Sequence, residues 1–148
     1  MTKVLLDEAR TRFKEIWHRV DSLFNAYAKS KGLNFTSLII LEFLYDADGV
    51  YTQKDLCEKL GLPKQFVNAI IKSFWEQGHV ELKEAKDRRN KNIILTASGR
   101  EYAGGIMRCL RDAEDRAWEC FADEEVMFFV GALEKYGKSY ERILRGVQ

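Results

Sequence analysis

The segment from Lys86 to Gly99 constrains the fold most, because its character changes twice along its length. It begins as a polar turn, continues as a short apolar strand from Ile93 to Leu95, and takes a helical period from Thr96. Just before it, Val80 and Leu82 alternate with polar residues, as in a half-buried strand. The turn carries the cations Lys86, Arg88, Arg89 and Lys91. The sequence therefore predicts a β-hairpin with a positive tip.

The positive tip of this hairpin suits the narrow, negative minor groove of DNA. The alternative is a solvated surface hairpin, and the hairpin alone does not separate the two interpretations. From Thr52 to Asn92 the chain has nine Lys and Arg against six Asp and Glu, although its net charge is only +1. The positive charge is therefore concentrated around the hairpin rather than spread over the chain.

Length and composition predict a single domain, residues 1–148, with a hydrophobic core. The chain has 148 residues, within the usual range for one domain, and 46% of them are hydrophobic. We expect a cytoplasmic protein with no membrane partner. No apolar run reaches the roughly 18 residues that a membrane-spanning helix needs, and the N-terminus lacks a signal-peptide pattern. The three cysteines form no CxxC pair and fit reduced thiols.

The segment before the hairpin predicts two helices joined by a short turn. Thr52 and Asp55 form a start that resembles a capping box, and the helix they open stops at Gly61. Pro63, the only proline, lies where the next helix begins, and that helix runs to Gln77. Two helices joined around a glycine and followed by a basic hairpin are typical of a winged helix-turn-helix. The predicted fold class is mainly α with a small antiparallel β-hairpin.

The remaining segments predict helices with broad apolar faces. The first helix, residues 5–28, and the last, opened by Asp123, are rich in aromatic residues. Their faces pack either within one chain or against a second subunit. A further helix is capped by Thr96 and runs towards Phe121. Within it, Gly104–Gly105 indicates a kink or a close helix crossing, since each glycine costs about 1 kcal/mol relative to alanine.

The hairpin and the helix after it share a recognisable spacing: Asp87-x-Arg89, five residues, Leu95-Thr96, two residues and Gly99. This spacing resembles the wing and wing-to-helix signature of the MarR (multiple antibiotic resistance regulator) family of winged-helix transcriptional regulators. Residues 52–62 resemble the family's first helix-turn-helix element, and residues 63–72 resemble its recognition helix.

The resemblance covers nearly the whole chain and implies both architecture and function. It implies a homodimeric repressor that binds a pseudo-palindromic operator in double-stranded DNA and is released by a small aromatic ligand. Residues 33–100 would form the winged helix-turn-helix, and residues 1–32 and 101–148 a helical dimerisation region. Phe66 stands where the family often has a small hydroxylated residue, and Ala69 where many members have arginine. Base preference therefore does not carry over.

The first turn of the recognition helix is expected to enter the major groove, where each base pair presents a distinct hydrogen-bonding pattern. Gln65 and Asn68 have amides suited to adenine edges, and Lys64 suits guanine or phosphate. Lys72, two turns along, is placed for the DNA backbone. Phe66 contacts a thymine methyl or joins the core, and we favour the core. For each residue the alternative is a solvated helix face.

In the wing, the resemblance implies that Arg89 enters the minor groove and that Asp87 orients it by an ion pair. Arg88 and Lys91 would then contact phosphates, which position a protein on DNA without reading its sequence.

The input to such a regulator is a separate question. The resemblance suggests a small aromatic or phenolic ligand between the dimer helices and the winged domain. Its candidate walls are Phe13, Trp17, Tyr45, Trp75 and Trp118. Core packing also produces aromatic stripes, so it is the alternative. Redox sensing is a rival input, but Cys57, Cys109 and Cys120 are all expected on apolar helix faces as inert thiols, with Cys109 the least secure.

We expect no enzyme, no cofactor and no metal site. His18 and His79 are far apart in the sequence, and no nucleophile triad, phosphate-binding glycine motif or metal-ligand cluster is recognisable. The rival function is a winged-helix module that binds a protein, with Phe66 on the apolar contact surface. Ionic strength separates the two, because binding through several phosphates weakens steeply with salt.

Overall fold

The computed structural model describes residues 2–46, 50–85 and 91–147. The chain divides into two compact units, Met1–Met107 and Arg108–Gln148. Within the described residues six helices and three strands form in this order: α1 (Lys3–Ser30), α2 (Phe35–Asp46), β1 (Tyr51–Thr52), α3 (Gln53–Leu60), α4 (Lys64–Glu76), β2 (Val80–Glu84), β3 (Lys91–Leu95), α5 (Ala97–Trp118) and α6 (Asp123–Arg145). The predicted fold class, mainly α with a small antiparallel sheet, is confirmed.

The sheet places the hairpin against the helix-turn-helix. Its strand order is β1-β3-β2, and both pairs are antiparallel. Ile93 in the central strand lies opposite Tyr51 on one side and Leu82 on the other. Val80 and Ile93 are buried, whereas Leu82, which the predicted alternation placed on the same side as Val80, is only half-buried.

The core of the first unit is built around α2 and α4. Each helix buries one apolar side: Leu38, Ile40, Leu41 and Leu44 from α2, and Val67, Ile70, Ile71 and Phe74 from α4. Leu56 of α3 and Met107 of α5 complete it. Tyr27 of α1 donates a hydrogen bond to the Ile106 carbonyl of α5, with an O···O distance of 2.6 Å. These contacts give the helix-turn-helix a rigid support.

Gly104 and Gly105 have different surroundings. A Cβ added at Gly104 would lie 3.4 Å from the Tyr45 hydroxyl, whereas one added at Gly105 would meet nothing within 4 Å. A close approach between α2 and α5 therefore accounts for the first glycine and not for the second.

The second unit begins its last helix one residue earlier than predicted. Ala122, not Asp123, is the N-cap of α6, and its N–H donates to the Glu125 carboxylate at 2.9 Å. α5 ends at Trp118 rather than running to Phe121, because the chain turns there. The Trp118 ring packs against Phe121 with ring centroids 5.8 Å apart.

The terminal helices leave their apolar faces exposed. Of the described residues, α1 buries only Ala28, and α6 buries none. The exposed apolar side chains of α1 include Ile16, Trp17, Val20 and Leu23, and those of α6 include Met127, Phe128, Phe129, Val130 and Ile143. Most of these side chains therefore lie outside the core of the single chain.

Candidate nucleic-acid interface

The helix-turn-helix starts with a reciprocal cap at α3. The Asp55 N–H donates to Thr52 Oγ1 at 3.2 Å, and the Thr52 N–H donates to Asp55 Oδ2 at 2.7 Å. The predicted capping box is confirmed. The backbone hydrogen bond from Thr52, together with one from its hydroxyl, holds the pKa of Asp55 below its ordinary value of 3.8. α3 then ends at Gly61, which adopts the left-handed conformation (φ 62°) that favours glycine.

This cap predicts a pH-dependent loss of stability. Because folding lowers the pKa of Asp55, its contribution is present above pH 3.8 and is lost as the pH falls below that value. We expect Asp55→Ala to reduce the free energy of unfolding by about 1 kcal/mol at pH 7. The difference from the wild type should shrink progressively as the pH falls below 3.8.

Urea unfolding from pH 3 to pH 7 measures this effect, with Glu58→Ala on the same helix as the control. Glu58 forms only an exposed ion pair with Lys54 (3.7 Å), so its loss should be small at every pH. An Asp55→Ala effect that stayed constant down to pH 3 would contradict the assigned role.

The first turn of α4 presents its polar and apolar side chains to solvent. Lys64, Gln65 and Phe66 are all exposed. Phe66 is 55% exposed while the adjacent Val67 is fully buried, so the core position favoured for Phe66 is wrong. Lys72 is exposed two turns along, where its Nζ lies 3.7 Å from Glu76.

Asn68 differs from its neighbours on this helix. It is half-buried, and its Oδ1 is buried without a hydrogen-bond partner among the described residues. A side-chain amide reads adenine by using both its oxygen and its nitrogen. The adenine-reading role predicted for Asn68 therefore requires its amide to turn outward.

A cationic cleft of about 490 Å³ lies where α3, the start of α4 and the hairpin meet. We call it the lysine cleft; its lining residues are Gln53, Lys54, Cys57, Glu58, Lys64, Leu82 and Lys91. Three separate elements thus bring Lys54, Lys64 and Lys91 to one concave surface. Sequence reasoning missed Gln53 and Lys54, although their position directly after the Thr52 cap indicated that they begin a helix beside the recognition helix.

The wing is described only at its base. Lys91 is exposed at the start of β3, and Lys83 pairs with Glu81 on β2 at 2.7 Å. The predicted tip residues Asp87, Arg88 and Arg89 lie outside the described residues.

The junction between α4, the wing and α5 is held by short polar contacts. The Thr96 hydroxyl donates to the Gly78 carbonyl at 2.6 Å, and the Thr96 N–H donates to the His79 carbonyl at 3.0 Å. Thr96 Oγ1 also accepts the Gly99 N–H at 3.0 Å, which confirms its predicted role as the cap of α5. Thr96 therefore ties the end of the recognition helix to the first turn of the next helix.

Close packing at the junction explains Gly99. A Cβ at this position would lie 1.8 Å from the His79 carbonyl oxygen, which no side chain tolerates. The His79 ring stacks on Tyr102 with centroids 4.1 Å apart, and burial raises the pKa of the Tyr102 phenol above its ordinary value of 10.0. His79 is thus a structural residue, as expected.

The five aromatic residues considered for a ligand pocket occupy different surroundings. Phe13 and Trp17 stack on each other along α1, with centroids 5.9 Å apart. Tyr45 packs against Gly104 and lies 5.9 Å below the Arg100 guanidinium. Trp75 is exposed on α4, and Trp118 belongs to the second unit. The lysine cleft is lined by other residues.

The cysteines are less enclosed than expected. Cys109 and Cys120 are exposed in the single chain, and Cys57 is half-buried at the lysine cleft. Cys120 follows the end of α5, so its expected place on a helix face is wrong, while the assignment of the three cysteines as inert thiols stays a prediction.

Comparison with known proteins points to one family. A family model described as MarR family matches residues 31–90, which include α2, α3, α4 and the first strand of the hairpin. A solved MarR family regulator from Neisseria meningitidis is 27% identical, covers 100% of both chains and superposes with a TM-score of 0.78. Residues 31–90 thus match the MarR family, and the chain has the fold of a solved winged-helix regulator of that family. No curated protein matches its sequence significantly.

Two further MarR-family structures share this fold at lower identity. A transcriptional regulator from Rhodococcus sp. RHA1 is 21% identical over 91% of this chain and 96% of that chain, with a TM-score of 0.71. MepR from Staphylococcus aureus, solved as a complex with DNA, is 22% identical over 88% of this chain and 96% of that chain, with a TM-score of 0.72. Among the helices of the described residues, none is long and apolar enough to cross a membrane.

Proposed function

We propose that this chain is a sequence-specific repressor that binds double-stranded DNA as a homodimer on a pseudo-palindromic operator. The observation that carries the proposal is the arrangement of α3, α4 and the hairpin around the lysine cleft, with the first turn of α4 exposed beside it. A helix presented in this way fits the major groove, and the lysines of the adjoining cleft fit the phosphate backbone beside it. MepR, whose fold is similar, has been solved with DNA.

The proposal gives each part of the interface a role. Lys64 and Gln65 contact base edges in the major groove, and Asn68 joins them when its amide turns outward. Lys54, Lys72 and Lys91, with Arg88 of the wing, contact phosphates. Arg89 enters the minor groove, oriented by Asp87. In this assignment residues 33–100 bind DNA.

Residues 1–32 and 101–148 would form the dimerisation region. The apolar faces of α1 and α6 are too large to leave in water, since monomeric proteins rarely expose contiguous apolar patches beyond a few hundred Å². A second copy of the chain would cover them symmetrically. It would also place the two recognition helices about 34–36 Å apart on successive major grooves.

The input signal that we propose is a small aromatic ligand, with Phe13, Trp17, Tyr45, Trp75 and Trp118 as candidate walls. Binding between the dimer helices and the winged region would shift their relative positions and lower DNA affinity. The proposal includes no catalytic activity, cofactor or metal, and it places the protein in the cytoplasm.

Selection of bound sequences from a random DNA pool tests the proposal. The wild type should enrich a pseudo-palindrome with half-sites one DNA turn apart, and Arg89→Ala should bind that sequence more weakly. Failure to enrich any palindrome would refute the repressor assignment.

Asp87 provides a prediction whose sign is informative. Removing a negative charge beside DNA should tighten binding if only net charge mattered. If Asp87 orients Arg89, Asp87→Ala should instead weaken binding several-fold, because an unheld guanidinium loses its fixed geometry. Fluorescence anisotropy with the selected DNA measures the change. Glu84→Ala, which removes the same charge from the base of the wing, serves as the control and should bind no more weakly than the wild type.

A second candidate function is a module that binds another protein, and the exposed Phe66 favours it. Ionic strength separates the two functions. Binding to DNA through several phosphates should fall by orders of magnitude between 50 mM and 200 mM salt, whereas an apolar contact centred on Phe66 should change little.

A further inference from the structure

Phe66 and Ala69 form an apolar surface within the proposed DNA interface. They are three residues apart on α4 and therefore lie on one face of the helix. Both are exposed, and Phe66 is 55% exposed although it is the bulkiest residue of the first two turns. In the first turn of α4 the exposed phenyl ring stands beside the polar side chains of Lys64 and Gln65, and core packing does not explain its position.

A groove of about 400 Å³ opens beside this pair, between α4 and the start of α2. Phe66, Ala69 and Ile70 form its apolar wall, and the opposite wall consists of three polar residues and one phenyl ring, Asn25, Asn34, Thr36 and Phe35. The Asn34 side chain caps α2 by accepting the Ser37 N–H at 2.8 Å. One side of the groove is therefore apolar, while the other, which we call the polar wall, is mainly polar and carries no charge.

These surroundings favour a nucleotide edge over an apolar protein helix. A protein helix docking by its apolar face would leave the polar wall facing hydrocarbon, which disfavours it. The major-groove edge of thymine instead presents a 5-methyl group beside hydrogen-bonding atoms. The groove is also continuous with the proposed interface, because Lys64 and Gln65 directly precede Phe66 on the same turn.

We propose that Phe66, with Ala69, reads the 5-methyl group of thymine in the operator and is a specificity-determining residue of this chain. The inference rests on the proposed DNA-binding function and adds to it a base preference. Burial of one methyl group against the phenyl ring accounts for a preference of about fourfold for thymine over a base that lacks only that methyl.

Deoxyuridine tests this directly, because it differs from thymidine only in the methyl group. In the DNA selected by the wild type, each thymine is replaced in turn by uracil, and the Kd is measured by fluorescence anisotropy at one salt concentration. We expect a loss of about fourfold at one or two positions of each half-site. Phe66→Ala should bind the thymine-containing DNA more weakly and show no difference between thymine and uracil there.

Val50→Ala is the matched control. Val50 is an apolar residue of the winged region with similar exposure, 52%, but it does not line the groove, so this variant should keep the preference for thymine. The inference is overturned if no position responds to uracil in the wild type, or if Phe66→Ala keeps the response. A protein that binds a selected operator but ignores the methyl group refutes only this inference. A protein that enriches no DNA refutes the proposed function and the inference together.

Discussion

Gly99→Ala should lower the free energy of unfolding by about 3 kcal/mol, because the added Cβ would lie 1.8 Å from the His79 carbonyl oxygen. The backbone cannot yield easily at this point. The same carbonyl accepts the Thr96 N–H, and Thr96 caps the helix that contains Gly99. Moving the backbone segments of His79 and Gly99 apart would disturb the Thr96 cap of this helix as well as the contact between the two segments. Thermal unfolding followed by circular dichroism should show a midpoint lowered by about 10 °C.

Gly105→Ala in the same helix is the control for this prediction. An added Cβ there meets nothing within 4 Å, so the substitution should stabilise the protein by up to about 1 kcal/mol through helix propensity alone. Equal destabilisation by both variants would show that the contact with His79 is not the cause. The pair thus separates a glycine required by packing from one that packing does not require.

Phe128→Asp should convert the proposed dimer to a monomer and weaken operator binding by more than about 100-fold. Phe128 is 78% exposed on α6, so a charge at this position is harmless in the single chain. In a dimer interface the same carboxylate would be buried without a partner, which is strongly unfavourable. A monomer contacts one half-site only and loses the gain that comes from linking two binding events.

Analytical ultracentrifugation and anisotropy measure the two effects, and circular dichroism checks that the helices persist. Lys135→Gln, at an exposed position of the same helix, changes the net charge by the same amount and should leave both the dimer and its affinity intact. If the Phe128→Asp variant remained dimeric, the dimer interface would not include this face of α6. A monomer with full affinity would contradict the two-fold operator.

Local signals in the sequence predicted the order of elements well. The cap at Thr52 and the stop at Gly61 depend on groups within about four residues of each other, so the sequence contains the whole interaction. The alternation of Val80 and Leu82 likewise has a period that only a strand satisfies. The predicted ends of the elements were less accurate. The N-cap of α6 is Ala122 rather than Asp123, because carboxylates in a first helical turn compete for the capping position.

Local signals in the sequence did not establish which of Phe66 and Val67 has the buried side chain. Adjacent residues on a helix differ by about 100° in direction, so Phe66 and Val67 cannot both face the core. Only the packing of α4 against the rest of the core determines that Val67 is buried and Phe66 exposed. The same holds for Lys54 and Lys91, whose meeting in the lysine cleft depends on how α3 packs beside the hairpin.

The hairpin and its neighbours show both contributions. The sequence by itself determined that a helix-turn-helix precedes a cation-tipped hairpin and that Thr96 begins the next helix, because hydrophobic period and capping are short-range properties. Only the tertiary structure explains why residue Gly99 has to be a glycine. It also determines which lysines share a cleft and leaves the apolar faces of α1 and α6 exposed. Those features depend on contacts between residues far apart in the chain, and the geometry of such contacts exists only once the chain has folded.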